Sequence, residues 1–400
     1  MTCAQARTPT VLATNPNADL YGASRMFLES VAGMRERGWR VVICTAERSG
    51  PLLEATRARG CEERSVPSPV LRKTYLTPIG LLRLLWLTLR SVPADIRVLR
   101  EVRPDILYAN TIIQPLWLLL GRCLGIRVVC HVHEGEASAP RAVRMALSYP
   151  LVLAHRLILN SRFSMKVLLE VLPRVEDRCA VVVNGVAAPP CIEAPRPAIA
   201  NGARLLYIGR LSERKGTGDA IEAVRLLRDR GVAAELDIVG NVYPGNEAFE
   251  AGLRDAVRRA DLSDRVRFRG FQSDVWPWLA ACDVLLVPSR SDEPFGNTAV
   301  EGTLAARPVV ATGVGGLGEA TEGSASVVQV APSAPEEIAD AVDRIVAEWS
   351  TFREQARADS VAVAQRHAPS TYQATIVAVL SAGIPEGIET SGTVGEPLER

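Results

Sequence analysis

Two α/β domains, each built on a doubly wound parallel sheet of the Rossmann kind, are predicted by three observations on the 400-residue sequence. Short β-branched runs alternate with longer stretches of helical periodicity. The alternation comes in two series, and a segment rich in Pro, Ala and Asn separates them. With 48% of residues hydrophobic, the chain can fill two cores.

The first series reads TVLAT at 10–14, RVVICT at 40–45, DILYAN at 105–110 and RVVCHVH at 127–133. Apolar strands of this kind are buried on both faces, and parallel neighbours require crossover helices. One such helix is expected after Tyr21-Gly22-Ala23-Ser24, with apolar positions at 27, 28, 31 and 34. The second series reads RLLYIGR at 204–210, AELDIVG at 234–240, RVRFRG at 265–270, DVLLVPS at 283–289 and PVVAT at 308–312. These runs set an N-terminal domain over 1–183, a linker over 184–203 opened by an Asn184-Gly185 turn, and a C-terminal domain over 204–368. PSTYQATIVAVLSAG at 369–383 reads as a further helix, and the Gly-, Pro- and Glu-containing tail over 384–400 is expected to be disordered.

Formal net charge is only +1, but residues 70–175 hold 15 Arg and Lys against 6 Asp and Glu, so that stretch carries +9 and the remainder −8. A basic, Leu- and Trp-rich N-terminal half suits an anionic, lipid-linked ligand or a membrane surface, or is simply a solvated face. LLRLLWLTLR at 81–90 is the most membrane-like stretch, yet Arg83 and Arg90 interrupt it far short of the ~20 apolar residues of a spanning helix. It is expected to be an amphipathic helix packed into the domain core, with a place in a bilayer interface as the other reading. The eight cysteines form no C-x-x-C pair and no cluster with histidine at metal-ligand spacing, which fits reduced thiols in a cytoplasmic protein. The first residues have no basic start followed by an apolar run, so no secretory signal is expected.

EPFGNTAVE at 293–301 places two carboxylates eight positions apart around a Pro-Phe-Gly break and a helix start. With Asn297 or Thr298 as the cap, the amides of Phe295, Gly296 and Asn297 point toward a diphosphate. Glu293 then sits on the loop and Glu301 in the first turn, each able to accept two sugar or ribose hydroxyls. An ordinary capped surface helix would read the same way. Upstream, YIGRLSERKG at 207–216 leaves a strand with Arg210 and Lys215 flanking a small loop, where two cations can meet the phosphates of a departing nucleotide. A solvated basic turn is the plainer account of each cation alone. Every motif follows a predicted strand, which is where open α/β sheets bind ligands.

Together, GRLSERKG at 209–216, EPFGNTAVEG at 293–302 and PVVATGVGGLGE at 308–319 resemble the retaining glycosyltransferases of family 4, also called group 1. That resemblance covers most of the chain and implies the GT-B architecture, with two Rossmann-like domains facing across a cleft and the last helix returning to the N-terminal domain. It implies that the N-terminal domain binds the acceptor and the C-terminal domain the nucleotide sugar. It assigns Glu293 to the donor sugar, Glu301 to the ribose, and Arg210 with Lys215 to the diphosphate. The family's glycine-rich turn falls at Gly22, although Asp19-Leu20-Tyr21 here replaces its usual run. His133 falls near the sugar's reacting face, and Glu134 and Glu136 beside it are candidates for the acceptor.

The expected activity is therefore hexosyl transfer from a nucleotide sugar to a saccharide, a lipid-linked glycan of the cell envelope or a small molecule, with peripheral contact at the inner membrane face and no nucleic acid as partner. A UDP-sugar is expected ahead of a GDP- or dTDP-sugar. No Asp-x-Asp pair occurs in the sequence, so no metal and no cofactor are expected. A retaining hydrolase would use two carboxylates ~5 to 5.5 Å apart but has no diphosphate for the GRLSERKG loop. Nucleotide-sugar epimerases and sugar phosphorylases occupy similar scaffolds, and a non-catalytic scaffold in glycan assembly is the reading from another class.

Overall fold

The computed structural model describes residues 8–71, 75 and 77–383; the 384–400 tail lies outside the described residues. The chain packs as two compact units. One runs to Gly185 and is joined by the chain from Pro369 onward, and the other spans Val186–Ala368.

Unit 1 holds strands β1 (Thr10–Thr14), β2 (Arg40–Thr45), β3 (Glu62–Ser65), β4 (Ile106–Asn110), β5 (Arg127–Val132), β6 (Arg156–Leu159) and β7 (Cys179–Val181). They lie in the order β3-β2-β1-β4-β5-β6-β7, every neighbour parallel. The crossovers are helices α1 (Gly22–Glu36), α2 (Pro51–Ala58), α3 (Pro78–Val102), α4 (Pro115–Cys123), α5 (Arg141–Ser148) and α6 (Arg162–Leu169). Alternate side chains of β1 enter different clusters: Leu12 packs with Val42, Leu107 and Val128, while Val11 and Ala13 pack with Phe27, Ile43 and Tyr108. Both faces of the sheet are thus covered, as a parallel sheet requires.

Unit 2 holds β8 (Ala203–Ile208), α7 (Thr217–Asp229), β9 (Ala234–Val239), α8 (Glu247–Arg259), β10 (Val266–Gly270), α9 (Trp276–Ala281), β11 (Val284–Val287), α10 (Asn297–Leu304), β12 (Val309–Thr312), α11 (Gly316–Ala320), β13 (Val327–Val330), α12 (Pro335–Ala347) and α13 (Trp349–Arg366). Its parallel sheet runs β10-β9-β8-β11-β12-β13, the Rossmann order. The stretch before β8 is tied to this unit. Val186 packs with Phe295, Val300 and Leu304, and Arg196 forks onto the buried carboxylate of Asp283.

Helix α14 (Pro369–Ser381) belongs to unit 1 and docks on α1. The Tyr372 hydroxyl lies 2.7 Å from Ser30 Oγ, and Gln373 donates to Glu29 at 2.8 Å. Gly33 is required at that crossing, because a Cβ there would stand 2.8 Å from the Gln373 Cβ.

The 81–90 segment departs from its expected place in the core. It is helical, as the first half of α3, but Ile79, Leu82 and Leu89 are 81%, 68% and 65% exposed. Only the second half delivers a buried stripe, at Ser91, Asp95, Val98, Leu99 and Val102. Among the described residues no helix is long and apolar enough to cross a membrane.

Candidate functional site

A doubly wound sheet opens a crevice where its strand order reverses. In unit 2 the reversal falls between β8 and β11, and the loops leaving these two strands carry the two sequence motifs. The 209–216 loop is anchored on one side by Gly209 N–H to Val239 O (3.0 Å) and Leu211 N–H to Asn241 O (3.0 Å). On the other side it meets the 288–296 loop. Arg290 N–H donates to Arg214 O (2.8 Å), and the Arg214 guanidinium donates to Asp292 O (2.8 Å). Gly216 makes this closure feasible: its φ is +67°, and a Cβ would overlap the carbonyl oxygen of Pro288. Arg290 clamps the same junction by a fork onto Asp219 at 2.8 and 2.6 Å.

Closure brings Lys215 and Glu293 together. The Glu293 side chain, in a residue 7% exposed, accepts from Lys215 Nζ and from Ser289 Oγ (2.9 Å), with Arg214 Nη1 at 3.8 Å. Burial alone would raise this carboxyl, but the Lys215 charge and hydrogen bond, with Arg214 and Ser289 behind them, outweigh it and hold the group below the usual carboxylate range. Glu293 is therefore anionic at neutral pH, and its backbone is fixed by Gly316 N–H at 2.7 Å. The Arg210 guanidinium stacks over the Tyr243 ring, 3.4 Å from its centroid.

Helix α10 differs from expectation at its cap. Neither Asn297 nor Thr298 caps it; the N-cap is Gly296 at φ +113° with no side-chain bond, and Asn297 is the first helical residue. A glycine serves because the chain turns through the left-handed region against Leu317, where a Cβ would stand 2.5 Å from Leu317 Cδ1. Glu301 consequently lies beyond the first turn, 8% exposed. The Phe295 side chain is spent on packing, with Val186, Val300 and Leu304 and edge-on to His367, so only its backbone faces other uses.

In unit 1 the reversal falls between β1 and β4. Here His133, just after β5, bonds through Nε2 to Asn110 Oδ1 (2.8 Å), and Asn110 Nδ2 donates to Asn15 Oδ1 (2.7 Å). Asn15 continues to Ser24 Oγ (3.2 Å) and Ser24 to Asp19 (3.0 Å), at the start of α1 beside Gly22. With the Asn110 amide so oriented, its oxygen receives the Nε2 proton of His133, and Nδ1 remains an acceptor. Burial pushes the His133 imidazole down to about 3, so it is neutral, and its ring lies 4.0 Å from that of His131. Gly22 meets nothing within 4 Å of a built Cβ, so packing within the protein does not demand the glycine. Thr111, next to Asn110, holds φ at +90°, a costly setting for a β-branched residue.

Glu134 and Glu136 line a pocket in the same unit, with Ile112, Val132, Leu151 and Arg144. Burial raises the Glu134 carboxyl to about 7, although local amides, including His133 N–H at 2.9 Å, oppose the rise.

Residues 21–188 match the family described as Glycosyltransferase Family 4, and residues 202–348 match Glycosyl transferases group 1. The chain belongs to the group 1, family 4 glycosyltransferases. The glycogen synthase of Mycobacterium tuberculosis (strain CDC 1551 / Oshkosh) is 28% identical over 276 residues, 65% of this chain and 64% of that protein. The 2-deoxystreptamine glucosyltransferase of Streptomyces kanamyceticus is 37% identical over 142 residues, 35% of each chain. The alignments thus span just under two thirds of the first relative and about a third of the second. The crystal structure of Anabaena Alr3699/HepE in complex with UDP and glucose superposes with a TM-score of 0.79 at 20% identity, covering 94% of this chain and 100% of that one. The two parallel-sheet units are those of the GT-B fold.

The structure joins two of the sequence-predicted residues directly, Lys215 and Glu293. Arg210, Phe295, Gly296, Asn297 and Glu301 lie on the same two loops and the helix that follows. Sequence reading missed Arg214, Ser289 and the Arg290–Asp219 clamp in unit 2, and Asn15, Ser24 and Asn110 in unit 1. The strand order alone could have found the last set, since Asn15, Asn110 and His133 end the adjacent strands β1, β4 and β5.

Proposed function

We propose that the chain transfers a sugar from a nucleoside-diphosphate sugar to a hydroxyl of a saccharide, lipid-linked glycan or small molecule, with retention and without a metal ion. The observation that carries this reading is the Lys215–Glu293 pair at the strand-order reversal of unit 2, beside the start of α10. Lys215 exchanges its Glu293 partner for a phosphate oxygen when donor binds, and Arg210 leaves the Tyr243 ring to join it. The amides of Phe295, Gly296 and Asn297, where the chain enters α10, add a partial positive charge. Glu293, freed from Lys215 and still held by Ser289, accepts sugar hydroxyls, and Glu301 accepts from the ribose. Gly22 lets the backbone at the start of α1 approach the donor, His133 serves the sugar's reacting face as a neutral group, and Glu134 and Glu136 serve the acceptor.

In the reaction, the bond from the anomeric carbon to the phosphate oxygen breaks, and a bond to the acceptor oxygen forms on the same face. The acceptor's proton passes to the departing phosphate oxygen. Cations and helix amides stabilise the charge left on the diphosphate, the task a metal performs in other transferases. The structural neighbour carrying UDP and glucose favours a UDP-sugar as donor.

The test is a panel of UDP-, GDP- and dTDP-sugars, scored by thermal stabilisation and by release of nucleoside diphosphate, with acceptor and with EDTA. Transfer is expected to survive EDTA and to give a product of the donor's anomeric configuration. Activity lost in EDTA and restored only by a divalent ion would sink the metal-free reading. An inverted product, or a trapped glycosyl ester on Glu293, would sink the proposed step.

A further inference from the structure

Helix α3 is apolar on two sides over its first three turns, and the fold uses only one of them. The inward stripe runs from Gly80 through the half-buried Leu84, Leu87 and Thr88 to the buried Ser91 and Asp95. The outward stripe is Ile79, Leu82, Leu85, Trp86 and Leu89, exposed by 81%, 68%, 55%, 56% and 65%. At 100° per residue these five side chains share an arc of about 120°. Arg83 and Arg90 fall along one rim of that arc, and Arg90 lies 5.3 Å over the Trp86 ring. Pro93 lies inside the continuous helix, between this projecting half and the packed half.

A helix that is hydrophobic all round is ordinarily buried on all sides. We propose that the outward stripe of α3 seats unit 1 on an anionic lipid bilayer, lying in the plane of the interface. Charge selects this occupant. From Arg64 to Ala94 the sequence has no Asp or Glu and five cations, Arg64, Arg72, Lys73, Arg83 and Arg90. A second copy meeting the stripe by two-fold symmetry would bring arginine against arginine with no carboxylate from this segment to offset them. A bilayer offers acyl chains to the leucines, the headgroup boundary to Trp86, and lipid phosphates to the arginines. No described helix is long and apolar enough to cross the membrane, so the contact is peripheral. This inference goes beyond the transfer reading and does not depend on it.

The experiment is sedimentation of the full chain with vesicles of phosphatidylcholine alone or mixed with phosphatidylglycerol. Binding is expected on the mixed vesicles at least ~10-fold above the neutral ones and to weaken in 0.5 M salt. Arg83→Gln and Arg90→Gln should each lower it about fivefold. Leu82→Glu with Leu85→Glu should abolish it, whereas Val361→Glu, at an exposed apolar residue of unit 2 (62%), should not change it. All these positions are solvent-facing, so circular dichroism and melting should match the parent. A blue shift of tryptophan emission on binding should vanish in Trp86→Phe while sedimentation persists. Equal binding to both vesicles, or undiminished binding by the double Glu variant, would overturn the proposal. So would a dimer in sedimentation velocity that the double variant splits.

Discussion

Lys215→Met tests the proposed donor site most directly, because the lysine's observed bond to Glu293 and its proposed bond to phosphate predict separate readouts. In the unliganded protein the substitution leaves Glu293, 7% exposed, with Ser289 at 2.9 Å and Arg214 at 3.8 Å. Losing one partner of a fully buried pair costs ~3 to 5 kcal/mol; with two partners remaining and the Lys215 side chain itself 23% exposed, ~1 to 3 kcal/mol is expected. Toward a nucleoside diphosphate, the lost charge-assisted bond is worth ~1.5 to 3 kcal/mol, a rise in Kd of about 10- to 150-fold. Glu293→Gln should behave oppositely. It frees Lys215 and removes a negative charge beside the phosphates, so the diphosphate should bind as well as before or better, while sugar transfer falls at least ~10-fold. The double variant should regain most of the stability and none of the binding. Titration calorimetry with UDP, GDP and dTDP, run well below each variant's melting temperature, reads these quantities. If Lys215→Met binds its nucleotide within threefold of the parent while folded, or if the double variant recovers binding, the diphosphate role of Lys215 is wrong.

Gly216→Ala should lower the melting temperature by about 5 °C or more, since φ +67° and the overlap with Pro288 O both oppose a side chain. Arg290→Ala leaves Asp219, 4% exposed, without its fork and should cost about 3 kcal/mol in urea unfolding of unit 2; Arg290→Lys should rescue only part, lacking the second donor. The Glu134 carboxyl, raised to about 7, binds more protons folded than unfolded between its ordinary value of 4.5 and 7, so its contribution is present below that window and is lost as pH rises through it. Glu134→Gln should therefore gain on the parent by at most ~3 kcal/mol from pH 4.5 to 7 and then stay level; a difference constant from pH 4.5 to 8 would refute the raised value. Thr111→Gly, relieving φ +90°, should stabilise unit 1 by about 1 kcal/mol in chemical denaturation, and a loss of stability would show that the threonine side chain matters more than its backbone.

The strands that were legible in the sequence are mostly interior ones. β1, β2, β4 and β5 in unit 1, and β8, β9, β11 and β12 in unit 2, are covered on both faces and so read as continuous apolar runs. Three of the four strands that sequence reading missed, β3, β7 and β13, lie at sheet edges. EERS at 62–65 has no buried residue at all, and no periodicity could single it out. The site divides the same way. Glu293 and Lys215 stand in local motifs that a short window contains. The residues holding them, Ser289, Arg214, Asp219 and Arg290, acquire meaning only when loops 78 residues apart close on each other. Asn15 and Asn110 are separated by 95 positions and meet because β1 and β4 are neighbours across the strand-order reversal.

Helix α3 shows a different limit. Its periodicity is satisfied by the inward stripe and by the outward stripe alike, so the composition of 81–90 demanded burial without saying on which side or by what. The protein supplies a partner for one side, through Ser91, Asp95, Val98, Leu99 and Val102. Hydrophobic burial contributes about 25 cal/mol per Å² of apolar surface removed from water, so leaving Ile79, Leu82, Leu85, Trp86 and Leu89 exposed forgoes several kcal/mol that a folded monomer could have gained by rearranging. That exposed stripe, on a segment with no Asp or Glu over the 31 residues between Glu63 and Asp95, is the surface the proposed bilayer contact would cover.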